Sequence, residues 1–449
     1  MFASKISIST QFSFLLNKTS SPRQLGLITV IALVAGGMIG SGIFTLPSAL
    51  AQFGGISILG WVVAAIGAIV LAHMMGRLSK VIPESGGSYA YTKRAFGDFP
   101  AFLVAWGFWL SLWSTNVAIA LTFTGYLSVF FPAIGQSSYL SPIISLVVIW
   151  TLTAINSRSI RTGGNLQVLT TALKVIPVLV VAVGGIFFFN PDHFVPFNLS
   201  GTSSAQAVLG ASVLCFYAFL GIEAATIPAD NIKNPEKNIS KGTLIGVGLV
   251  VFLYMFSSIS LFGVLPPGEV ASSLAPLSDA ATKIFGGGAK YWVAAGACIS
   301  TFGALNGWIL IQGQIAQSMA KDGLLPKALA FKNKNNSPST GIIVSSVFVT
   351  ILLILNMTKG FASLYSFMVL LSTITSLFFY LSAALVYTYF SFGEKLGFTW
   401  TLKSKIISLL GLGFSIWVFF GSGTEAILWG TVGMLLGVPV YIYNKKQRK

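Results

Sequence analysis

The stretch Ala35–Phe44, "AGGMIGSGIF", places four glycines inside an apolar run that extends from Leu27 to Leu50. An apolar run of this length is typical of a membrane-spanning helix, whereas glycine weakens a helix interior. In lipid, unwound backbone is tolerated only where protein buries it or where it lines a cavity. The stretch therefore indicates a discontinuous helix whose freed amides face a ligand, in preference to close helix packing through small residues.

The composition excludes a soluble protein. Of 449 residues, 54% are hydrophobic and 8% are charged, and the mean hydropathy is +0.82, whereas soluble domains carry about 25% charged residues. We therefore predict an all-α polytopic membrane protein with a single transmembrane domain over residues 25–443. Twelve apolar runs predict its membrane-spanning helices: Leu27–Leu50, Ile56–Met75, Ala101–Phe130, Pro142–Ile155, Leu166–Phe188, Ala205–Ile227, Thr243–Val264, Tyr291–Met319, Thr340–Leu355, Phe361–Phe390, Ile406–Phe420 and Ala426–Tyr443.

The basic residues predict the orientation. With the N-terminus inside, all but four of the 27 Lys and Arg residues lie in cytoplasmic segments; Lys283, Lys290 and Lys359 lie outside, and Lys174 lies within a span. This bias follows the positive-inside rule. It predicts a multi-pass protein of the cell's inner membrane with a cytoplasmic segment at 1–24 and a basic cytoplasmic tail at 444–449. The net charge of +16 is explained by the orientation of the protein in the lipid bilayer. We therefore expect no nucleic acid as a partner.

Sequence patterns that carry catalysis are missing. The two cysteines, Cys215 and Cys298, lie in separate spans, and the histidines His73 and His193 do not pair with carboxylates at metal-ligand spacing. The chain has no P-loop, nucleophile elbow or HExxH motif. We therefore expect no enzymatic activity, no metal and no cofactor, and any transport would draw on a gradient.

The sixth span has a second interruption. Its stretch "FYAFLGIEAATIP" places Gly221 beside Glu223. Interruptions in the first and sixth spans are what an inverted repeat of five helices produces, with a binding site at its centre. We predict one repeat over about 25–190 and another over about 205–390, with helices 11 and 12 outside the repeat at about 406–443.

Four motifs carry a family resemblance: "GGMIGSGIF", "PESGGSYAYTKRAFG" (Pro83–Gly97), "FLGIEAATIPADNIKNPEKNI" and "NGWILIQGQIAQSMAKDGLLP" (Asn306–Pro326). With them the chain resembles the amino acid, polyamine and organocation transporter superfamily, most of all its bacterial basic amino acid/polyamine antiporters, such as the arginine/agmatine exchanger. The resemblance implies twelve helices and alternating access, with spans one, two, six and seven rocking against the other helices. It also makes a homodimer, through helices 11 and 12, one of the expected assemblies.

The resemblance also implies a substrate site. Amides around Ile39, Gly40, Ser41 and Gly42 would hold a carboxylate, as the N-terminus of a half-helix can. The substrate's α-amino group would meet carbonyls near Gly37 and Tyr217. The other implied binding residues are Phe108, Asn116, Leu220 and Trp308. Tyr217 and Phe108 are expected as aromatic gates on the outer side, with Trp308 at the midpoint.

Two charged residues fall within spans, where such groups are costly and usually functional. Glu223 matches a glutamate of the antiporters for which pH sensing or proton relay has been proposed. Lys174 stands where some proton-coupled relatives carry a lysine and where sodium-driven relatives bind sodium, so its ammonium argues against sodium dependence. Because burial disfavours a charged amine, Lys174 could release and rebind a proton during the cycle, although related exchangers without proton coupling also carry a lysine here.

Two functions therefore compete. The first is exchange of a cationic amino acid for a related amino acid or amine, which the overall resemblance favours. The second is proton-coupled import of neutral or varied amino acids, which Lys174 favours. A transporter-like nutrient sensor is a third reading, against which the missing extended cytoplasmic tail argues.

Overall fold

The computed structural model describes residues 25–84, 86–137, 139–158, 164–226, 229 and 232–447, without the side chains of 164–173. Within these ranges the regular structure is helical, apart from one isolated bridge between Leu25 and Ile232. The predicted N-terminal segment 1–24 and the last two residues of the predicted tail lie outside the described residues.

The α-helices are numbered in chain order. They are α1 (Leu27–Met38), α2 (Ser41–Leu50), α3 (Ser57–Val81), α4 (Ser88–Phe96), α5 (Asp98–Leu127), α6 (Ala133–Gln136), α7 (Leu140–Arg158), α8 (Gly164–Gly185), α9 (Ser204–Tyr217), α10 (Pro235–Val264), α11 (Pro267–Ser272), α12 (Pro276–Phe285), α13 (Ala289–Lys321), α14 (Ser339–Asn356), α15 (Phe361–Phe392), α16 (Leu402–Gly421) and α17 (Thr424–Gln447). Short 3₁₀ helices include Ala51–Ile56, Ile222–Ala225 and Met357–Lys359.

Among the described residues, ten helical segments are long and apolar enough to cross a membrane. One of them, Leu27–Val81, contains α1, α2 and α3, and the described part of α8 adds a shorter apolar helix, Lys174–Phe188. The prediction of a polytopic helical membrane protein is confirmed, and the count of twelve spans stays a prediction. At the C-terminal end, α17 continues to Gln447, so the predicted tail at 444–449 begins as helix.

The first span is broken where the glycine-rich stretch predicts it. α1 ends at Met38, and Ile39 and Gly40 have non-helical backbone angles before α2 begins at Ser41. The sixth span is broken as well, because α9 ends at Tyr217 and a 3₁₀ helix starts only at Ile222. Gly221, with φ +116°, makes the turn between them.

The two breaks pack against each other. A Cβ atom added to Gly221 would lie 2.8 Å from the Gly37 carbonyl carbon and 2.9 Å from the Met38 nitrogen. One added to Gly42 would lie 2.7 Å from the Ala218 Cβ. Close packing is thus required of Gly221 and of Gly42, which lies inside α2, whereas the sequence favours unwinding over packing for the glycine-rich stretch.

The helices form two groups. α3 packs against α9 and α10, and α1 packs against α10 and the 3₁₀ helix Ile222–Ala225. α5 packs against α13 and α15, and α14 packs against α7 and α13. The first group contains the elements of the predicted spans one, two, six and seven. Residues that line a path between the groups are therefore contributed mainly by the two breaks, α5, α13 and α15.

The contact between the breaks yields a prediction about stability. We expect Gly221→Ala to destabilise the protein by roughly 2–4 kcal/mol, because an unfavourable backbone conformation and overpacking each cost about 1–3 kcal/mol. The measurement is thermal unfolding of the purified protein in detergent. Gly307→Ala is the control, since a Cβ there has nothing within 4 Å. Equal melting temperatures for the two variants would contradict the packing described.

Candidate functional site

A cavity of about 20 Å³ lies where the two breaks meet α5, α13 and α15. This volume holds about one water molecule, so the cavity is closed around less space than an amino acid needs. Sequence-predicted residues that line it are Gly37, Gly40, Ser41, Gly42, Phe108, Tyr217, Leu220, Glu223 and Trp308. Its other lining residues are Met38, Ser111, Leu112, Thr115, Ile119, Ala218 and Ser376.

Some of the lining residues that the sequence analysis did not name could have been found from a pattern in the sequence. Ser111, Thr115 and Ile119 recur at intervals of four and therefore share one face of α5. Phe108 and Leu112 lie beside them on the same helix. Ser376 of α15 has no comparable pattern around it, and its position depends on how α15 packs against α5.

Backbone groups of the first break are held by side chains from several helices. The Tyr254 hydroxyl donates to the Met38 carbonyl at 2.7 Å, and the Tyr365 hydroxyl donates to the Ser41 carbonyl at 3.3 Å. The Tyr126 hydroxyl donates to the Phe44 carbonyl at 2.9 Å. The first of these bonds satisfies a carbonyl at the end of α1 that the break removes from the regular helix ladder, as a membrane interior requires, and the other two tie the first turns of α2 to neighbouring helices.

The N-terminus of α2 points its amides toward the cavity. Gly40 is the N-cap residue, and no side chain of the described residues caps it. The first amides of a helix have no acceptor within the helix and carry partial positive charge. Gly40, Ser41 and Gly42 all line the cavity, so an anionic group placed there would meet unpaired N–H groups. The Ser41 and Tyr217 hydroxyls are hydrogen-bonded to each other at 2.9 Å.

Glu223 is fully buried at the second break. Its Oε2 accepts hydrogen bonds from the Gly221 amide at 3.1 Å and from the Tyr380 hydroxyl at 2.5 Å. Its Oε1 has no hydrogen-bond partner in the described structure, and no basic side chain described there lies within 4 Å. A buried carboxyl group without a counter-charge is costly. It therefore suits a proton or an ammonium group as its missing partner.

Lys174 lies behind the first break rather than in the cavity. It is buried, and its Nζ is 3.4 Å from the Ile39 carbonyl and 3.5 Å from the Gly36 carbonyl. Ile39 is buried too and presents this carbonyl to the lysine instead of lining the cavity. The lysine thus contacts the break from the side opposite to a ligand.

Asn116 is also set back from the cavity. It is buried, and its side-chain amide donates to the Gln312 Oε1 at 2.7 Å. Gln312 donates in turn to the Ser346 hydroxyl at 3.1 Å, and Ser346 is hydrogen-bonded to Thr153 at 2.7 Å. The Asn116 Oδ1 has no partner among the described residues. Asn116 adjoins the cavity residue Thr115, so it supports the wall without forming it.

Phe108 separates the cavity from a second space. Its ring lies 4.7 Å from that of Phe379, between centroids. Both rings also line a pocket of about 260 Å³ beside α4. At the mouth of this pocket Asp322 accepts a hydrogen bond from Tyr89 and pairs with the Lys93 Nζ at 3.1 Å. Phe108 therefore lies on the α4 side of the cavity, whereas Tyr217 lies near Ser41; the role of both rings as outer gates stays a prediction.

The broken helices and the closed cavity between them define a class of protein, the helical membrane transporters with a central binding site. Comparison with known families agrees: the family model described as "Amino acid permease" matches residues 25–442. The chain belongs to this amino acid permease family. It is accordingly a multi-pass membrane transporter and not an enzyme.

Individual relatives are antiporters and polyamine transporters by name. The "Cadaverine/lysine antiporter" of Escherichia coli (strain K12) is 32% identical over 340 residues, which are 75% of this chain and 76% of that protein. The "Putrescine transporter PotE" of the same strain is 29% identical over 428 residues, or 93% of this chain and 95% of that protein. The protein of that name from Haemophilus influenzae is 27% identical over 428 residues, with 94% and 97% covered.

The carboxyl group of Glu223 yields a prediction. We expect Glu223→Gln to alter the pH profile of transport, because the amide can neither take up nor release a proton. Transport into proteoliposomes across a range of pH measures this. Gly303→Ala is the control, since a Cβ there meets nothing within 4 Å and the carboxyl group keeps both of its hydrogen bonds. An unchanged profile in a Glu223→Gln protein that is normally expressed would contradict the role of this group.

The ring of Phe108 yields another prediction. We expect Phe108→Ala to join the cavity to the α4-side pocket, since among the described residues Phe108 is the one that lines both spaces. Ser376→Cys, in a chain whose Cys215 and Cys298 are replaced by alanine, should then react faster with a membrane-impermeant thiol reagent. Leu110→Ala, on the same helix outside the cavity lining, should leave the rate unchanged. Equal rates in all backgrounds would show that Phe108 does not close the cavity.

Proposed function

We propose that the protein is a secondary transporter that exchanges a cationic amino acid for a related amino acid or amine by alternating access. The observation that carries the proposal is the closed cavity at the crossing of the two breaks, in which Glu223 is the acidic lining residue. The named substrates of the relatives, cadaverine, lysine and putrescine, all present a primary ammonium group on an alkyl chain. Such a group suits a buried carboxyl oxygen without a partner.

The cavity walls suit the rest of such a substrate. An α-carboxylate would bind the amides of Gly40, Ser41 and Gly42, as an anion binds a helix N-terminus. The alkyl chain would lie against Trp308 and Phe108, whose ring faces also attract cations. A diamine has no carboxylate and would leave the α2 amides to water. This difference would allow one site to take an amino acid in one direction and its amine in the other.

The small volume of the cavity fits a state closed to both sides. Phe108 and Phe379 separate it from the α4-side pocket. Near α2, the hydrogen bond between the hydroxyls of Ser41 and Tyr217 joins its two breaks. Binding would require the helix groups to separate on one side at a time, which is alternating access. The group of α1, α2, α3, α9 and α10 is the part that would rock.

We place the protein in the inner membrane with twelve spans and both termini in the cytoplasm. The break in Leu27–Met38 and Ser41–Leu50 and that after Ser204–Tyr217 are the features an inverted repeat would share. Splitting the long segment Leu27–Val81 at the 3₁₀ turn and counting α8 would complete the twelve. A homodimer through α16 and α17 stays a prediction; leucines on both helices, such as Leu409 and Leu435, are exposed to lipid or a second copy.

A second candidate function, proton-coupled import, is favoured by Lys174. Its ammonium lies within 3.5 Å of two carbonyls of the first break. No carboxylate among the described residues lies within 4 Å of it. Loss of its proton would weaken these contacts and could free the break to move, which would couple a proton to transport.

Counterflow in proteoliposomes tests the proposal. Vesicles loaded with unlabelled lysine, cadaverine or putrescine should take up labelled lysine, and empty vesicles should not. A panel of neutral amino acids should compete weakly. Uptake into empty vesicles that an inward proton gradient drives, and that Lys174→Ala abolishes, would replace exchange by symport. Gly303→Ala serves as the control variant, because a Cβ there meets nothing within 4 Å.

A further inference from the structure

Another space, distinct from the α4-side pocket, lies on the side of the closed cavity away from Phe108. Its volume is about 850 Å³, and it lies between α2, α11, the first turns of α15 and the turn from α16 to α17. We call it the Lys359 vestibule. Its polar lining residues are Ser48, Gln52, Ser363, Ser366, Ser422 and Thr424, and its charged ones are Lys359 and Glu425.

The vestibule and the central cavity are both lined by residues of α2 and α15. On α2, Ser48 lines the vestibule and Ser41 lines the cavity, so the two positions are about 10 Å apart along the helix. On α15, Ser366 lines the vestibule and Ser376 lines the cavity, about 15 Å further along. Phe379 comes next and borders the α4-side pocket. The vestibule therefore lies at one end of a path that the cavity continues.

Lys359 is held by a carboxylate and an aromatic ring. Its Nζ is 2.5 Å from the Glu425 Oε1 and 4.6 Å from the centroid of the Phe367 ring. Phe367 lines the vestibule as well. A carboxylate beside an aromatic face is a combination that binds primary ammonium groups. The ammonium of Lys359 thus occupies a place that a diamine or lysine side chain would also fit.

We propose that Glu425 and Phe367 form a binding site for the primary ammonium group of a cationic substrate, and that Lys359 is a tethered occupant which the arriving substrate replaces. This inference rests on the proposed function, because the ligand of the site is the amine that the protein is proposed to transport. Replacement is easy because the two side chains are 29% and 54% exposed, and ion pairs at such exposure contribute little stability. The surrounding hydroxyl groups would accept the remaining ammonium hydrogens.

A purely structural ion pair predicts a different outcome. Glu425 is in the first turn of α17, and Lys359 ends the 3₁₀ helix before α15. If the pair only fastens these elements, removing either partner has the same effect. If Lys359 competes with substrate, removing Lys359 strengthens amine binding and removing Glu425 weakens it.

The experiment measures cadaverine binding and transport separately. Calorimetric titration of the purified protein gives the affinity, and a concentration series of labelled cadaverine in counterflow gives KM and kcat. We expect Lys359→Met, which keeps an apolar stem over Phe367, to tighten binding and lower KM by about two- to fivefold, as removal of an exposed competitor would. Glu425→Gln should weaken both by a similar factor. The kcat should change little in either variant.

Lys283→Met and Glu269→Gln provide matched controls. These residues form an exposed Lys–Glu pair at 3.4 Å outside the vestibule lining, and neither change should alter affinity or KM. Shifts of Lys359→Met and Glu425→Gln in the same direction, or no shift, would overturn the proposal. If the two variants shift the affinity in opposite directions but the wild type shows no cadaverine counterflow, the binding site is supported. The proposed function is then contradicted instead.

Discussion

The structure depends on one constraint, the need to pair backbone polar groups away from water. Breaking a membrane helix releases carbonyls and amides, and lipid offers them no partner. Here the released Met38 carbonyl of the first break accepts from Tyr254, and carbonyls in the first turns of α2 accept from Tyr365 and Tyr126. The two breaks also bury each other, because glycine at 221 allows the chains to touch. The amides at the start of α2 remain, and they line the cavity.

Much of this arrangement could be predicted from the sequence. Glycine clustered in an apolar run indicates either a break or close packing, and preferring a break correctly predicted the one at Ile39–Gly40. Nine of the sixteen residues that line the cavity could be named from the sequence. Short-range patterns could not give the packing between distant helices. For this reason the sequence did not show that the Asn116 amide is bonded to Gln312 of α13, and substrate binding by Asn116 stays a prediction. The contact between the rings of Phe108 and Phe379 depends on the same long-range packing.

The spaces along α15 differ in size and in polarity. Toward its N-terminus the helix borders a wide vestibule rich in hydroxyl groups, then a closed cavity, and then the α4-side pocket. The narrowest space is the one bounded by both breaks. In the proposed exchange, specific contacts to a substrate would therefore be concentrated at the breaks that would move, which would tie recognition to the change of shape.

The hydrogen bonds at the breaks also bear on how tightly the exchange proposed here would be coupled. Tyr126, Tyr365, Tyr380 and Lys174 all belong to helices outside the group that would rock, yet each bonds to a break inside it. An empty carrier could reorient only by giving up several of these bonds with nothing in the cavity to replace them. A bound substrate would bond to the groups of the breaks that line the cavity, Glu223 and the amides of α2, and so lower that barrier. Such a carrier would return across the membrane only when loaded, and the two substrate fluxes would be locked together one for one without any dedicated coupling ion.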